Sequence, residues 1–219
     1  MKSFRRGGKI KEEGEHMNRQ SNLPVITISR QYGAGGRTIA RGLSARFDIP
    51  WYDKDFAAET AAKSGYSEED IRQEGEQLSA GGRFLNSVLN TSAAYSSSHD
   101  GIFLAQKQVI MDLSAAPCII VGRCADYILE GMDNLIRIFI YAPFDVRVLN
   151  CMNQYSCSKE EARRMVVEMD SKRDHEHRRH CGYYPDDKNH QDIMINSSLL
   201  GMDRSADFLV EIIKEKFGL

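Results

Sequence analysis

The stretch Ser29-Arg30-Gln31-Tyr32-Gly33-Ala34-Gly35-Gly36-Arg37-Thr38 gathers the residue types that hold phosphate. Glycines let consecutive backbone N–H groups close around an anion, and a helix starting directly afterwards adds the positive end of its dipole. The β-branched run from Val25 to Ile28 precedes it, and Ile39, Leu43 and Phe47 follow at four-residue spacing. Strand, glycine loop and amphipathic helix in that order favour a phosphate cradle over a glycine turn that merely connects two elements. Two registers align with the pattern G-x-x-x-x-G-K-[ST]. Anchored on Thr38, Gln31 takes the first glycine place, Gly36 the second and Arg37 the lysine place. Anchored on the flanking elements, Arg30 is first, Gly35 second, and Gly36 stands where lysine belongs. Neither supplies a lysine. Arg37 is the nearby cation able to replace it, as a permanently charged planar fork and not a point charge. Gly33, Ala34, Gly35 and Gly36 are the expected cradle, and Thr38 the expected hydroxyl for a phosphate or a metal ion.

Further candidates lie downstream. Arg173, Asp174, Arg178 and Arg179 crowd together with His175, His177, His180, Cys181 and His190. Charge patterning alone reads this run as a solvated helix face. Its nitrogen and sulfur donors could hold a metal, but the spacing follows no standard zinc pattern. Histidines beside arginines are better read as a phosphate-facing surface, becoming cationic below about pH 6.5. Cys124, after Gly122-Arg123, has no histidine near it in sequence to activate a thiolate, which favours an inert buried thiol. Asn196 and Ser197 are placed to cap a turn.

The elements that must position these residues follow from periodicity. Ile49 to Tyr52, Cys118 to Val121, Ile136 to Tyr141 and Asp192 to Asn196 read as strands after the first. Ser67 and Ser158, each with Glu or Asp three residues on, have the spacing of helix-starting capping boxes. Ala206, Leu209, Val210, Ile213 and Phe217 mark the buried stripe of a C-terminal helix. Phe103 to Leu113 also reads as a helix, whereas Ser79 to Gly101, rich in Ser, Gly and Asn, reads as a mobile connection. Alternating strands and helices predict an α/β fold, a parallel sheet covered on both faces. Residues 1–22 carry almost no large apolar side chains and read as a disordered tail, leaving residues 23–219 as a single domain.

Composition narrows the function classes. The chain has 219 residues, with 29 Lys and Arg against 31 Asp and Glu, a formal charge of -2. That balance argues against a nucleic-acid coat or an anionic-membrane binder. The five cysteines contain no C-x-x-C, and no apolar run approaches the roughly 18 residues of a membrane span. A reducing cytoplasm is the expected location. The sequence sets no oligomeric state.

Three patterns carry a family resemblance: S-R-Q-Y-G-A-G-G-R-T-I-A from Ser29, V-G-R-C-A-D-Y-I-L from Val121 and D-I-M-I-N-S-S from Asp192. With Val25-Ile-Thr-Ile, and with Asp53 after the second strand, they resemble bacterial cytidylate kinase and, more closely, the cytidylate kinase-like family. The resemblance runs from about Val25 to the C-terminus. It implies a three-layer P-loop kinase core with a helical acceptor-binding region at about 56–101 and an Arg-rich lid at about 170–185. The implied reaction is ATP-dependent phosphoryl transfer, with Mg²⁺, to a small acceptor, a nucleoside monophosphate such as CMP. It casts Arg37, Arg173 and Arg178 as catalytic, Asp53, Arg123 and Asp174 as acceptor-binding, and Asn196 as a donor-nucleotide contact. The sequence departs from cytidylate kinase where Gly122-Arg123 lies between Val121 and Cys124 instead of between aspartates. An arginine expected soon after Asp53 is also absent, with Glu59 near its place. These departures fall on base and monophosphate recognition. They motivate two alternatives, a regulatory nucleotide-binding module and a kinase for a non-nucleotide metabolite of the shikimate or gluconate type.

Overall fold

Val25, Ile26 and Ile28 are β-branched and buried, and they sit on the middle strand of a five-stranded parallel sheet. The computed structural model describes residues 22–53 and 92–219. The strands are β1 (Val25–Arg30), β2 (Trp51–Tyr52), β3 (Ile119–Val121), β4 (Leu135–Tyr141) and β5 (Ile193–Asn196), ordered β2-β3-β1-β4-β5. Ile26 pairs with Ile119 on one side and Ile136 on the other. Strands covered on both faces need apolar residues on both, which is why these segments read as short apolar runs without alternation.

Helices supply the two covers. On one face, α1 (Gly36–Phe47) and α7 (Met202–Phe217) bury Ile39, Leu43, Leu209 and Ile213 against Ile26, Ile28 and Ile138. On the other, α2 (Ser92–Leu113) and α3 (Ala125–Ile128) set Val109, Ile110 and Ala125 against Val25, Ile120 and Leu135. Each such side chain, once buried, contributes about 1.5–3 kcal/mol. A hairpin of α4 (Phe144–Tyr155) and α5 (Lys159–Cys181) is closed by Val148, Cys151, Ala162 and Val166. The short α6 (Ser197–Leu200) links β5 to α7. The expected three-layer α/β architecture is present.

Local expectations can be compared element by element. Ser158 starts α5 with a full capping box: its Oγ accepts from the Glu161 N–H, and the Glu161 carboxylate accepts from the Ser158 N–H at 2.9 Å. The stripe of α7 is buried as its periodicity requires. The connection expected up to Gly101 is shorter, because α2 already runs from Ser92 and includes Ser96 to Ser98. Serine is only a moderately poor helix former, and tertiary packing lower in the helix outweighs that cost. Arg173 lies within α5, which stays helical to Cys181, so the lid stretch is for most of its length the end of one long helix. Most of the expected tail, the capping box at Ser67, Glu59 and most of the acceptor-binding region lie outside the described residues. No helix among the described residues is long and apolar enough to cross a membrane.

The chain leaves β1 toward β2 and leaves β3 toward β4 on the opposite side. A crevice therefore opens between the C-terminal ends of β1 and β3, where parallel sheets bind ligands. The β1–α1 loop bordering it is tightly enclosed. Gly33 has φ +76°, and a Cβ there would sit 2.6 Å from the Arg147 carbonyl oxygen. Gly35 has φ +81°, and its Cβ would meet Met202 Sδ at the same distance. A thioether can swing aside and a backbone carbonyl cannot. Gly33→Ala should therefore lose about 2–4 kcal/mol and Gly35→Ala only about 1–2 kcal/mol in urea unfolding. Equal losses would contradict this packing.

Candidate active site

Three successive carbonyls of the glycine loop are held from outside. Tyr32 O accepts from Arg147 Nη1 at 3.2 Å, Gly33 O from Asn150 Nδ2 at 2.8 Å and Ala34 O from Ser197 Oγ at 2.7 Å. In a trans peptide the N–H points opposite to the C=O. Anchoring those oxygens in the surrounding helices turns the amides of Gly33, Ala34 and Gly35 the other way; Ala34 also closes a loose turn to Gln31 O at 3.4 Å. Asp170 locks the loop's outer edge, accepting from the Tyr32 N–H at 2.7 Å and pairing with Arg147. The helix α1 begins at Gly36, with Arg37 and Thr38 in its first turn.

A cavity of about 200 Å³ lies in the crevice beside Arg37. Among the described residues, five arginine and lysine side chains line it: Arg30, Arg37, Arg123, Lys172 and Arg173. Two carboxylates, Asp53 and Glu176, face them. Asp53 is buried at the end of β2, where it pairs with Arg30 at 3.3 Å and with Arg37. Burial holds the Arg30 pKa well below its ordinary value; Arg173 lowers it too, Asp53 opposes, and Arg37 and Arg123 add to the lowering. The guanidinium of Arg173 is likewise held below its usual range by burial, against the pull of Asp170. It donates to Arg30 O at 3.0 Å and lies 5.3 Å over the Tyr32 ring. So much positive charge packed out of water is strongly favourable for an anion.

Arg123 reaches the cavity from an unusual turn. Gly122, Arg123 and Cys124 are all left-handed, with φ of 78°, 62° and 55°. Such backbone costs of order 1 kcal/mol or more for each non-glycine residue and collects at functional sites. Behind it, the imidazole of His177 is buried between Asp126, at 3.0 Å from Nε2, and the Tyr183 carbonyl, at 2.9 Å from Nδ1. Burial alone lowers the His177 pKa, but the hydrogen bond and charge of Asp126 outweigh it and lift it to about 9.

The site thus brings together the glycine loop, Arg37, Asp53, Arg123 and Arg173. It does not bring in Arg178, which is exposed and donates to the Tyr184 hydroxyl at 2.7 Å. Asp174 is also outside the cavity wall; burial raises its pKa, and Asp186 and Asp170 add to that. Asn196 acts as a helix cap, accepting from the Ser198 N–H at 3.0 Å. Thr38 stands in the first turn of α1 beside the loop. Sequence reading overlooked Arg30 and Lys172 as cavity cations. A usable signal existed for α5: its buried Ala162 and Val166 continue at helical spacing through Met169, Arg173, Glu176 and His180. Arg178 lies about 160° round the helix from Ala162.

Residues 25–199 match the family model described as the cytidylate kinase-like family. No functionally curated protein matches the chain. Among solved structures, an uncharacterized protein from Eubacterium ventriosum ATCC 27560 aligns with a TM-score of 0.68 and 23% identity, over 88% of this chain and 99% of that one. Shikimate kinase from Acinetobacter baumannii, in complex with shikimate, aligns at 0.50 and 17%, over 89% and 94%. Shikimate kinase from Bacteroides thetaiotaomicron aligns at 0.51 and 12%, over 87% and 98%. At these identities the likeness is one of fold.

The ion pairs of Asp53 lead to a direct test. Asp53→Asn strands the partly buried Arg30 guanidinium beside other cations, a loss of about 3 kcal/mol. In chloride buffer the variant should melt well below the parent, and added phosphate should raise its melting temperature more than the parent's. Equal phosphate effects on the two proteins would contradict the surplus of positive charge.

Proposed function

The chain belongs to the cytidylate kinase-like family, and from that premise we propose that it is an ATP-dependent kinase whose acceptor carries a phosphate, a nucleoside monophosphate such as CMP. The observation that carries this reading is the set of five arginine and lysine side chains facing two carboxylates around one cavity. An acceptor with a phosphate dianion offsets more of that surplus than a sugar-like alcohol with a single carboxylate does.

The reaction forms a bond between an acceptor phosphate oxygen and the γ-phosphorus of ATP and breaks the bond from that phosphorus to the bridging oxygen, releasing ADP. The amides of the glycine loop bind the donor phosphates, and Arg37, from the first turn of α1, lies against the transferred group. Arg123 and Arg30 hold the acceptor phosphate. Arg173, already folded onto the end of β1, covers the transferring group and helps exclude water. Asp53 orients Arg30 and Arg37. The Thr38 hydroxyl, in the first turn of α1, would hold Mg²⁺, which would supply charge neutralisation across the substrate phosphates.

An ADP-release assay across nucleoside monophosphates, shikimate and gluconate tests the reading. Turnover is expected with a monophosphate and not with the two alcohols. Arg37→Ala should lower kcat by about 10²-fold. Arg123→Ala should raise the acceptor KM about tenfold or more while the ATP KM stays near the parent value. Tight ATP binding without transfer to any acceptor would instead support a regulatory nucleotide-binding module.

A further inference from the structure

Cys124, His177 and Cys181 come from two distant parts of the chain, yet their ligand atoms all lie within 4.8 Å of one another. We propose that they form a binding site for a thiophilic divalent cation of the Zn²⁺ type, clamping the end of α5 to the β3–α3 turn. Cys124 and His177 also line the cavity, so this site adjoins it on the side away from the glycine loop's Thr38, and the inference does not depend on the kinase reading.

Four features support it. His177 and Cys181 are four residues apart on α5, which sets both side chains on one face of the helix. Cys124 meets them from a left-handed backbone with φ 55°, its thiol within 4.8 Å of both ligand atoms on α5. The Nδ1–H of His177 donates to the Tyr183 carbonyl at 2.9 Å, leaving Nε2 as the ligating atom with its ring orientation fixed. Asp126, 3.0 Å from that Nε2 and held by Gln191 at 3.1 Å, is a carboxylate beside the three-residue cluster whose negative charge favours a cation there.

Geometry and charge fit such an ion. Zn–S bonds of about 2.3 Å put two tetrahedral sulfurs about 3.8 Å apart, so small side-chain rotations close the present cluster. On loading, each thiol and the His177 Nε2–H give their protons to water; the sulfurs bind as thiolates and Nε2 through the lone pair so freed. Asp126 and Glu130 supply additional negative charge near Cys181. Two sulfurs and an imidazole select a soft or borderline metal over Mg²⁺.

The full-length protein, reduced and stripped with chelator, would be titrated with Co²⁺ and then competed with Zn²⁺. One equivalent of Co²⁺ should produce a near-ultraviolet sulfur-to-cobalt charge-transfer band that Zn²⁺ abolishes and Mg²⁺ does not. Cys124→Ser and Cys181→Ser should each weaken Zn²⁺ binding at least tenfold, while Cys157→Ser leaves it unchanged. Zn²⁺ should raise the melting temperature of the parent but not of Cys181→Ser, a half-exposed position whose replacement keeps the side-chain volume. Absence of the charge-transfer band overturns the proposal, as does Zn²⁺ affinity indifferent to both cysteine substitutions. Spontaneous closure of a Cys124–Cys181 disulfide in air that Zn²⁺ does not prevent would overturn it as well.

Discussion

Asp53 joins three elements by one carboxylate. It ends β2, pairs with Arg30 at the end of β1 and with Arg37 in the first turn of α1. Without that negative charge the two guanidiniums, with Arg173 and Arg123 close by, would repel one another at the base of the crevice. The cost of burying Arg30 is high, and the carboxylate offsets only part of it. What remains is an electrostatic demand that a phosphate can satisfy. A protein of nearly zero net charge can therefore contain a strongly cationic cavity, because the average hides where the arginines are gathered.

The glycine loop needs a second constraint, supplied from behind. Arg147, Asn150 and Ser197 occupy its carbonyls, and Asp170 takes the Tyr32 amide. These partners belong to α4, α5 and α6, so the conformation of the cradle depends on helices packed behind it, of which α5 also lines the crevice. The glycines permit the turn, and these hydrogen bonds select it from the many that glycine allows.

Much of this was legible in the sequence for a physical reason. β1, its glycine loop and α1 are local in the chain, and their apolar periodicity and flexible residues report directly on structure. The Ser158 cap and the stripe of α7 are equally local. Arg37, Asp53, Arg123 and Arg173 were recognisable through their places in family motifs. Arg178 and Lys172 were harder because neighbouring charges on a helix look alike until its buried face is known. The start of α2 was hidden because serines weaken the helical signal without abolishing the helix. The convergence of Cys124 with His177 and Cys181 is a product of tertiary packing, invisible to any reading of spacing along the chain.

The helix α5 changes character along a single face. At Ala162 and Val166 that face belongs to an apolar core, and from Lys172 onward it belongs to the cationic cavity. The apolar end can serve as a fulcrum and the charged end as a lever arm. From Val166 to Arg173 the arm is about 10 Å long, and to Cys181 about 22 Å. A tilt of about 10° at the fulcrum would thus move Arg173 by about 2 Å, enough to break its bond to β1, and Cys181 by about 4 Å. Events at the far tip are geared down roughly twofold at the arginine, so a modest restraint there fixes the position of a cation in the cavity wall.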